Sequence, residues 1–102
     1  MLKVKGIEAV GTRQRRFRVF DDGQPAPDSH LAQVATYARR LLAENELEGD
    51  CRPAPEGVLL LDLPETESTY FYDGIIFAAL DAFNEPAKNP TITGFTPIES
   101  IE

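Results

Sequence analysis

Between Leu31 and Leu42 the residues Leu31, Val34, Ala35, Ala38, Leu41 and Leu42 recur at three- and four-residue spacings, which lines them up as one apolar stripe along a helix. Such a helix has to bury its stripe against a sheet or a second helix, so the rest of the chain must supply that surface. Pro25 and Pro27 precede the pattern, and the helix is expected to open with Asp28 or Ser29 as its cap. It should fray near Glu48, where Gly49 supplies a left-handed stop. Gln33, Thr36, Tyr37, Arg40 and Glu44 fall on the outer face. Tyr37 there reads either as an aromatic at the rim of the core or as an anchor for a partner.

The covering surface is expected to be a sheet. VLLLDL, Val58 to Leu63, is an apolar run bounded by Gly57 and Pro64, the pattern of a central strand covered on both faces. Upstream, Val4, Ile7, Ala9 and Val10 form a β-compatible run. Gly11 and Thr12 turn the chain, and Gln14 to Phe20 resumes with β-formers, which predicts a hairpin. Asp21, Asp22 and Gly23 bring turn chemistry after it. DCRPAPEG, with two prolines and a glycine, reads as a loop.

Two parses compete for Thr69 to Asp73 ahead of the helical run Ile75 to Asn84. A helix running through would hold Gly74 in its interior at about 1 kcal/mol relative to alanine, which favours a strand with Asp73 capping the helix. Pro86 ends the helix in either case. The fold predicted is therefore a small α+β domain over residues 1–90, with an N-terminal β-hairpin and two helices on a mostly antiparallel sheet of three to five strands. Residues 91–102 are expected to form a C-terminal edge strand or extension, since Pro97 excludes a central strand. The expected core is Leu31, Val34, Ala38, Leu41, Leu42, Val58, Leu60, Ile76 and Leu80.

A chain of 102 residues with 42% hydrophobic and 26% charged residues is of a size and composition for one folded domain. Its longest apolar run, Ile75 to Leu80, is far short of a membrane span, and the first residues lack the apolar block of a signal peptide. With a single cysteine, Cys51, the chain cannot form an internal disulfide, and the expectation is a cytoplasmic protein.

Charge is unevenly distributed. The first twenty residues hold Lys3, Lys5, Arg13, Arg15, Arg16 and Arg18 against Glu8, a local +5; the rest hold Arg39, Arg40, Arg52 and Lys88 against sixteen acids, a local −12 within the total of −7. A field this negative opposes a phosphate backbone, so nucleic acid is disfavoured as a partner and a protein is favoured.

Strand alternation puts Arg13, Arg15, Phe17 and Val19 on one side of the second hairpin strand and Gln14, Arg16, Arg18 and Phe20 on the other. The arginines fit a solvated edge that resists aggregation, a docking strip for a carboxylate-bearing protein, or salt bridges to the chain's own acids. Candidate partner-binding residues are Arg13, Arg15, Arg16, Arg18, Tyr37 and Arg40.

Catalytic signatures are sparse. One histidine, His30, and one cysteine exclude a zinc site of the Cys₂His₂ or Cys₄ kind within one chain. Neither a phosphate-binding glycine loop nor a nucleophile-elbow pattern occurs. Asp21, Asp22 and Asp28 lack the spacing of a calcium loop and suit turn and cap duties. No cofactor and no metal is expected. The leading expectation is a small acidic, non-catalytic protein-binding module of the inhibitor, immunity or phage and mobile-element accessory type. An assembly subunit of a larger oligomer or virion-like particle is the alternative, which makes a homo-oligomer an open expectation. A small enzyme or ligand-binding domain using Tyr70, Tyr72 and Asp73 comes third.

Overall fold

The computed structural model describes residues 1–64 and 69–85. The chain forms β1 (Leu2–Val10), β2 (Gln14–Asp21), β3 (Gln24–Pro25), α1 (Asp28–Glu44), β4 (Asp50–Ala54), β5 (Val58–Asp62) and α2 (Thr69–Asn84). All strand pairs are antiparallel, in the order β1-β2-β5-β4, with the short β3 beside the end of β2. Both helices cover one face of this sheet, α1 against β4 and α2, and α2 over β1. The α+β architecture expected from the sequence is the one observed.

The hairpin of β1 and β2 follows the predicted turn, and the alternation predicted along β2 holds. Phe17 and Val19 are fully buried with Leu59, Leu61 and Cys51 from β5 and β4. Along β1 the apolar residues do not alternate strictly, and a register shift between Val4 and Gly6 explains how the strand accommodates them. Val4 pairs with Val19 and Ile7 with Phe17, so the bulge at Lys5 keeps both on the helix side. After β2, Asp22 and Gly23 have φ of 53° and 82° between the paired Asp21 and Gln24, the two-residue turn that Asp-Gly favours.

Helix α1 begins one step earlier than either predicted cap allows. Pro27 occupies the cap position, with no side-chain cap bond, and its carbonyl accepts from the N–H groups of His30 and Leu31 at 3.0 Å each. Asp28 lies instead in the first turn, where its carboxylate meets the positive end of the helix dipole. The helix stops before Gly49, at Glu44. Leu47 N–H bonds the Leu42 carbonyl (2.8 Å) and Glu46 N–H the Ala43 carbonyl (3.1 Å), with Glu46 at φ 56°; this paired arrangement closes many helices. Leu47 then packs on the core.

Four further expectations are corrected. Tyr37 is 6% exposed and belongs to the core: it lies three residues after Val34 and four before Leu41, and α1 buries a wide stripe because it meets both β4 and α2. Asp50–Ala54, read as loop, is an edge strand, the one setting that tolerates Pro53 without a ladder N–H. Strand β5 is interior to the sheet but covered on one face only, so Leu59 and Leu61 are buried while Val58 and Leu60, expected in the core, are half-buried on the opposite face. Thr69 to Asp73 is helical, because α2 runs through Gly74 to Asn84. Burying Tyr72, whose hydroxyl donates to the Glu48 carbonyl at 2.7 Å, offsets the weak propensity of Gly74. The expected strand or extension at 91–102 lies outside the described residues.

A Cβ at Gly74 would meet nothing within 4 Å. Gly74→Ala should therefore raise stability by about 1 kcal/mol in urea denaturation; a decrease would mean that the helix does not pass through this residue.

Candidate docking face

The side chains of β2 that point away from the helices are Gln14, Arg16, Arg18 and Phe20, and the sheet register brings neighbours beside each. Arg16 lies between Glu8 of β1 and Leu60 of β5, Arg18 between Gly6 and Val58, and Gln14 between Val10 and Asp62. Phe20 is flanked by Lys3 and Pro25. At the far side β4 adds Arg52, opposite Leu60, and Asp50, opposite Asp62. The result is a bare sheet face with a half-buried apolar floor of Phe20, Val58 and Leu60 crossed by long basic side chains.

The polar groups on this face are paired unevenly. Arg18 bonds Glu8 at 3.1 Å, both side chains largely exposed. Asp62 accepts from Arg52 and, at 2.9 Å, from the Gln14 amide. Arg16, although half-buried, makes no hydrogen bond or ion pair with any described residue. A groove of about 360 Å³ is lined by Arg16, Arg18, Phe20, Pro25, Glu56 and Val58.

The candidate residues read from the sequence do not form one cluster. Only Arg16 and Arg18 share this face. Arg13 lies at the exposed hairpin tip, Arg40 is half-buried on α1, and Tyr37 is in the core. Arg15 lies on the helix side, where its Nε and Nη2 hold the two oxygens of Asp73 at 2.8 and 2.7 Å, with 17% and 16% of the two side chains exposed. This fork-to-carboxylate pair ties β2 to the start of α2, so part of the arginine run is structural. A double-mutant cycle of Arg15→Gln and Asp73→Asn, followed by urea denaturation, should return a coupling of about 1–2 kcal/mol; additivity would remove the pair's structural role. Arg52 and Glu56 are not legible in the sequence: strand alternation across Asp50–Ala54 places Arg52 here, while Glu56 lies in the loop after β4 and reaches the groove only through the fold.

The residues considered for chemistry have other tasks. Burial pushes the Cys51 thiol up to about 12, the reverse of what a nucleophile needs. The His30 ring is 5.0 Å from that of Phe83, and its Nδ1 is 3.8 Å from an Asp21 oxygen that accepts no bond from it. Asp21 also holds the Met1 ammonium at 2.9 Å and thereby raises its pKa. Tyr72 and Asp73 are engaged as described, and among the described residues no group of three or more His, Cys, Asp or Glu is placed to hold a metal ion. No described helix is long and apolar enough to cross a membrane. No protein family, no curated protein and no solved structure matches the chain.

Proposed function

We propose that this chain is a non-catalytic binding module that docks on a partner protein through the bare face of its sheet. The observation that carries this reading is Arg16, a half-buried residue without an ion pair among the described residues, paired across the sheet with apolar Leu60 and lining one groove with Phe20 and Val58. Arginine beside apolar side chains that a partner can cover is the composition found at interface centres. The inhibitor, immunity and accessory types named above all act in this way, by covering a surface of another protein.

The test is photo-crosslinking in the cells of origin. A crosslinking residue at Leu60 should give one discrete adduct that Arg16→Gln with Arg18→Gln abolishes, and the same residue at Gln33 on α1 should give none. The double variant should keep its stability within about 0.5 kcal/mol, because the exposed Arg18 pair contributes little. Adducts from Gln33 alone would sink the reading.

The assembly reading draws on a different feature. Phe71 and Phe77 on α2 remain 60% and 46% exposed, apolar area of the kind that contacts between copies bury. Sedimentation at low and high salt separates the two: salt-insensitive self-association lost in Phe71→Ser with Phe77→Ser would favour assembly.

A further inference from the structure

Resting on the docking reading above, we infer that the bare sheet face takes an acidic segment of its partner protein, with one carboxylate on Arg16 and a nearby apolar side chain in the groove floored by Phe20, Pro25 and Val58. Three observations converge on that chemistry. The first is the state of Arg16. Its neighbours on the face are taken in pairs, Arg18 with Glu8 and Arg52 with Asp62, which leaves the Arg16 fork for an incoming group. A planar fork binds a carboxylate through two parallel bonds.

The second is the groove itself. It joins apolar Phe20, Pro25 and Val58 to Arg16 and Arg18, so one short segment can satisfy both with side chains a few residues apart. Glu56 closes the Phe20 end of the groove, beyond Val58. It repels a second carboxylate there and fixes which way an acidic segment runs.

The third is charge complementarity. The face sets Arg16, Arg18, Arg52 and Lys3 among Glu8, Asp50, Glu56 and Asp62, so it is near neutral in a chain whose total charge is −7. An acidic partner is therefore repelled less here than by the chain as a whole, and Arg16 gives its carboxylate a counterpart, which orients the encounter. The same face is poorly made for a nucleic acid. Glu8, Glu56 and Asp62 interrupt the basic residues, and Phe20 is the only aromatic among the described side chains of the face, whereas single strands need a basic track and several stacking rings.

The probe is a random displayed peptide library selected on the full chain, with binding sites mapped by amide chemical shifts. Selected peptides should carry Asp or Glu near one large apolar residue and shift the amides of Arg16, Arg18 and Val58. Arg16→Gln should weaken a selected peptide at least ~10-fold, as expected for losing one partner of a shielded charge pair, while Arg13→Gln changes affinity less than ~2-fold, as for a charge outside the contact. Peptides that bind the same face without acidic preference would overturn the acidic-segment inference and leave the docking reading standing. Failure to select any peptide would also overturn it, with docking then judged by the crosslinking result alone. Shifts confined to the Phe71 and Phe77 side of α2 would overturn both. Tight binding of single-stranded oligouridylate to this face, lost in Arg16→Gln, would replace the protein ligand by RNA.

Discussion

Phe17→Ala should lower the unfolding free energy by about 3–5 kcal/mol, while Arg16→Gln, one residue away, should change it by less than about 0.5 kcal/mol. The contrast follows from strand geometry. Phe17 is fully buried on the helix-covered face of the sheet, paired with Ile7 on one side and Leu59 on the other. Truncating its ring leaves a cavity beside strands whose hydrogen-bonded register limits how far the site can collapse. Arg16 points the other way, beside Leu60, and glutamine keeps part of its aliphatic stem. For a domain with a net stability of about 5–15 kcal/mol, the Phe17 loss is a large fraction of the whole. Urea midpoints with unchanged slopes are the measurement. Equal losses at the two positions would mean that the strand does not separate a core face from a bare one.

That separation also explains why some of the fold was legible in the sequence and some was not. Along β2 the polar and apolar residues alternate, so the sequence states which side of the strand faces the helices. Val58, Leu59, Leu60 and Leu61 are all apolar, and a uniform run carries no phase. Only the register with β2, set by residues some forty positions earlier, sends Leu59 and Leu61 inward and Val58 and Leu60 outward. Helix α1 was legible because its stripe repeats over several turns. Its true width was not, since α1 packs on both β4 and α2 and buries Tyr37 beside the stripe. In α2 the local cost at Gly74 pointed to a strand, and the tertiary gain from Tyr72 and from the Arg15–Asp73 pair outweighed it.

The docking face was half legible for the same reason. Alternation alone places Arg16 and Arg18 together and Arg15 on the opposite side. It cannot say that Arg15 meets Asp73, because the two are 58 residues apart. Nor does an arginine-rich run reveal which of its members lacks a carboxylate among the described residues: Arg16 stands out only once Glu8 is seen to bond Arg18 and Asp62 to bond Arg52. The arginines of β2 thus divide: Arg15 holds α2, while Arg16 and Arg18 face outward, and the proposed docking rests on those two.

Gly57→Ala should cost about 2–4 kcal/mol, from a backbone penalty of about 1–2 and a similar or larger packing penalty. Gly57 ends the loop between the paired Ala54 and Val58, buried, with φ at +75°, a conformation that a Cβ disfavours. The steric part is specific to this place. A Cβ here would lie 2.7 Å from the Val19 carbonyl oxygen, 2.9 Å from Pro25 Cβ and 3.0 Å from the Ala26 nitrogen. Two of these are backbone atoms that cannot rotate aside. They also belong to the contact that joins the β4–β5 hairpin to β2: Val19 donates to the Gly57 carbonyl at 2.7 Å, and Ala26 donates to the Val19 carbonyl at 2.9 Å. Moving Gly57 therefore disturbs the strand that carries Arg18 and Phe20 as well as the floor of the groove at Pro25 and Val58. Gly23→Ala is the matched control, since Gly23 has a similar φ of +82° with nothing within 4 Å of its Cβ position, and it should lose only the backbone part, about 1 kcal/mol. The difference between the two variants, together with faster exchange of the Val19 amide in Gly57→Ala alone, isolates the close approach. Equal losses would mean that the hairpin stands farther from β2, and the groove between them would lose its Pro25 wall.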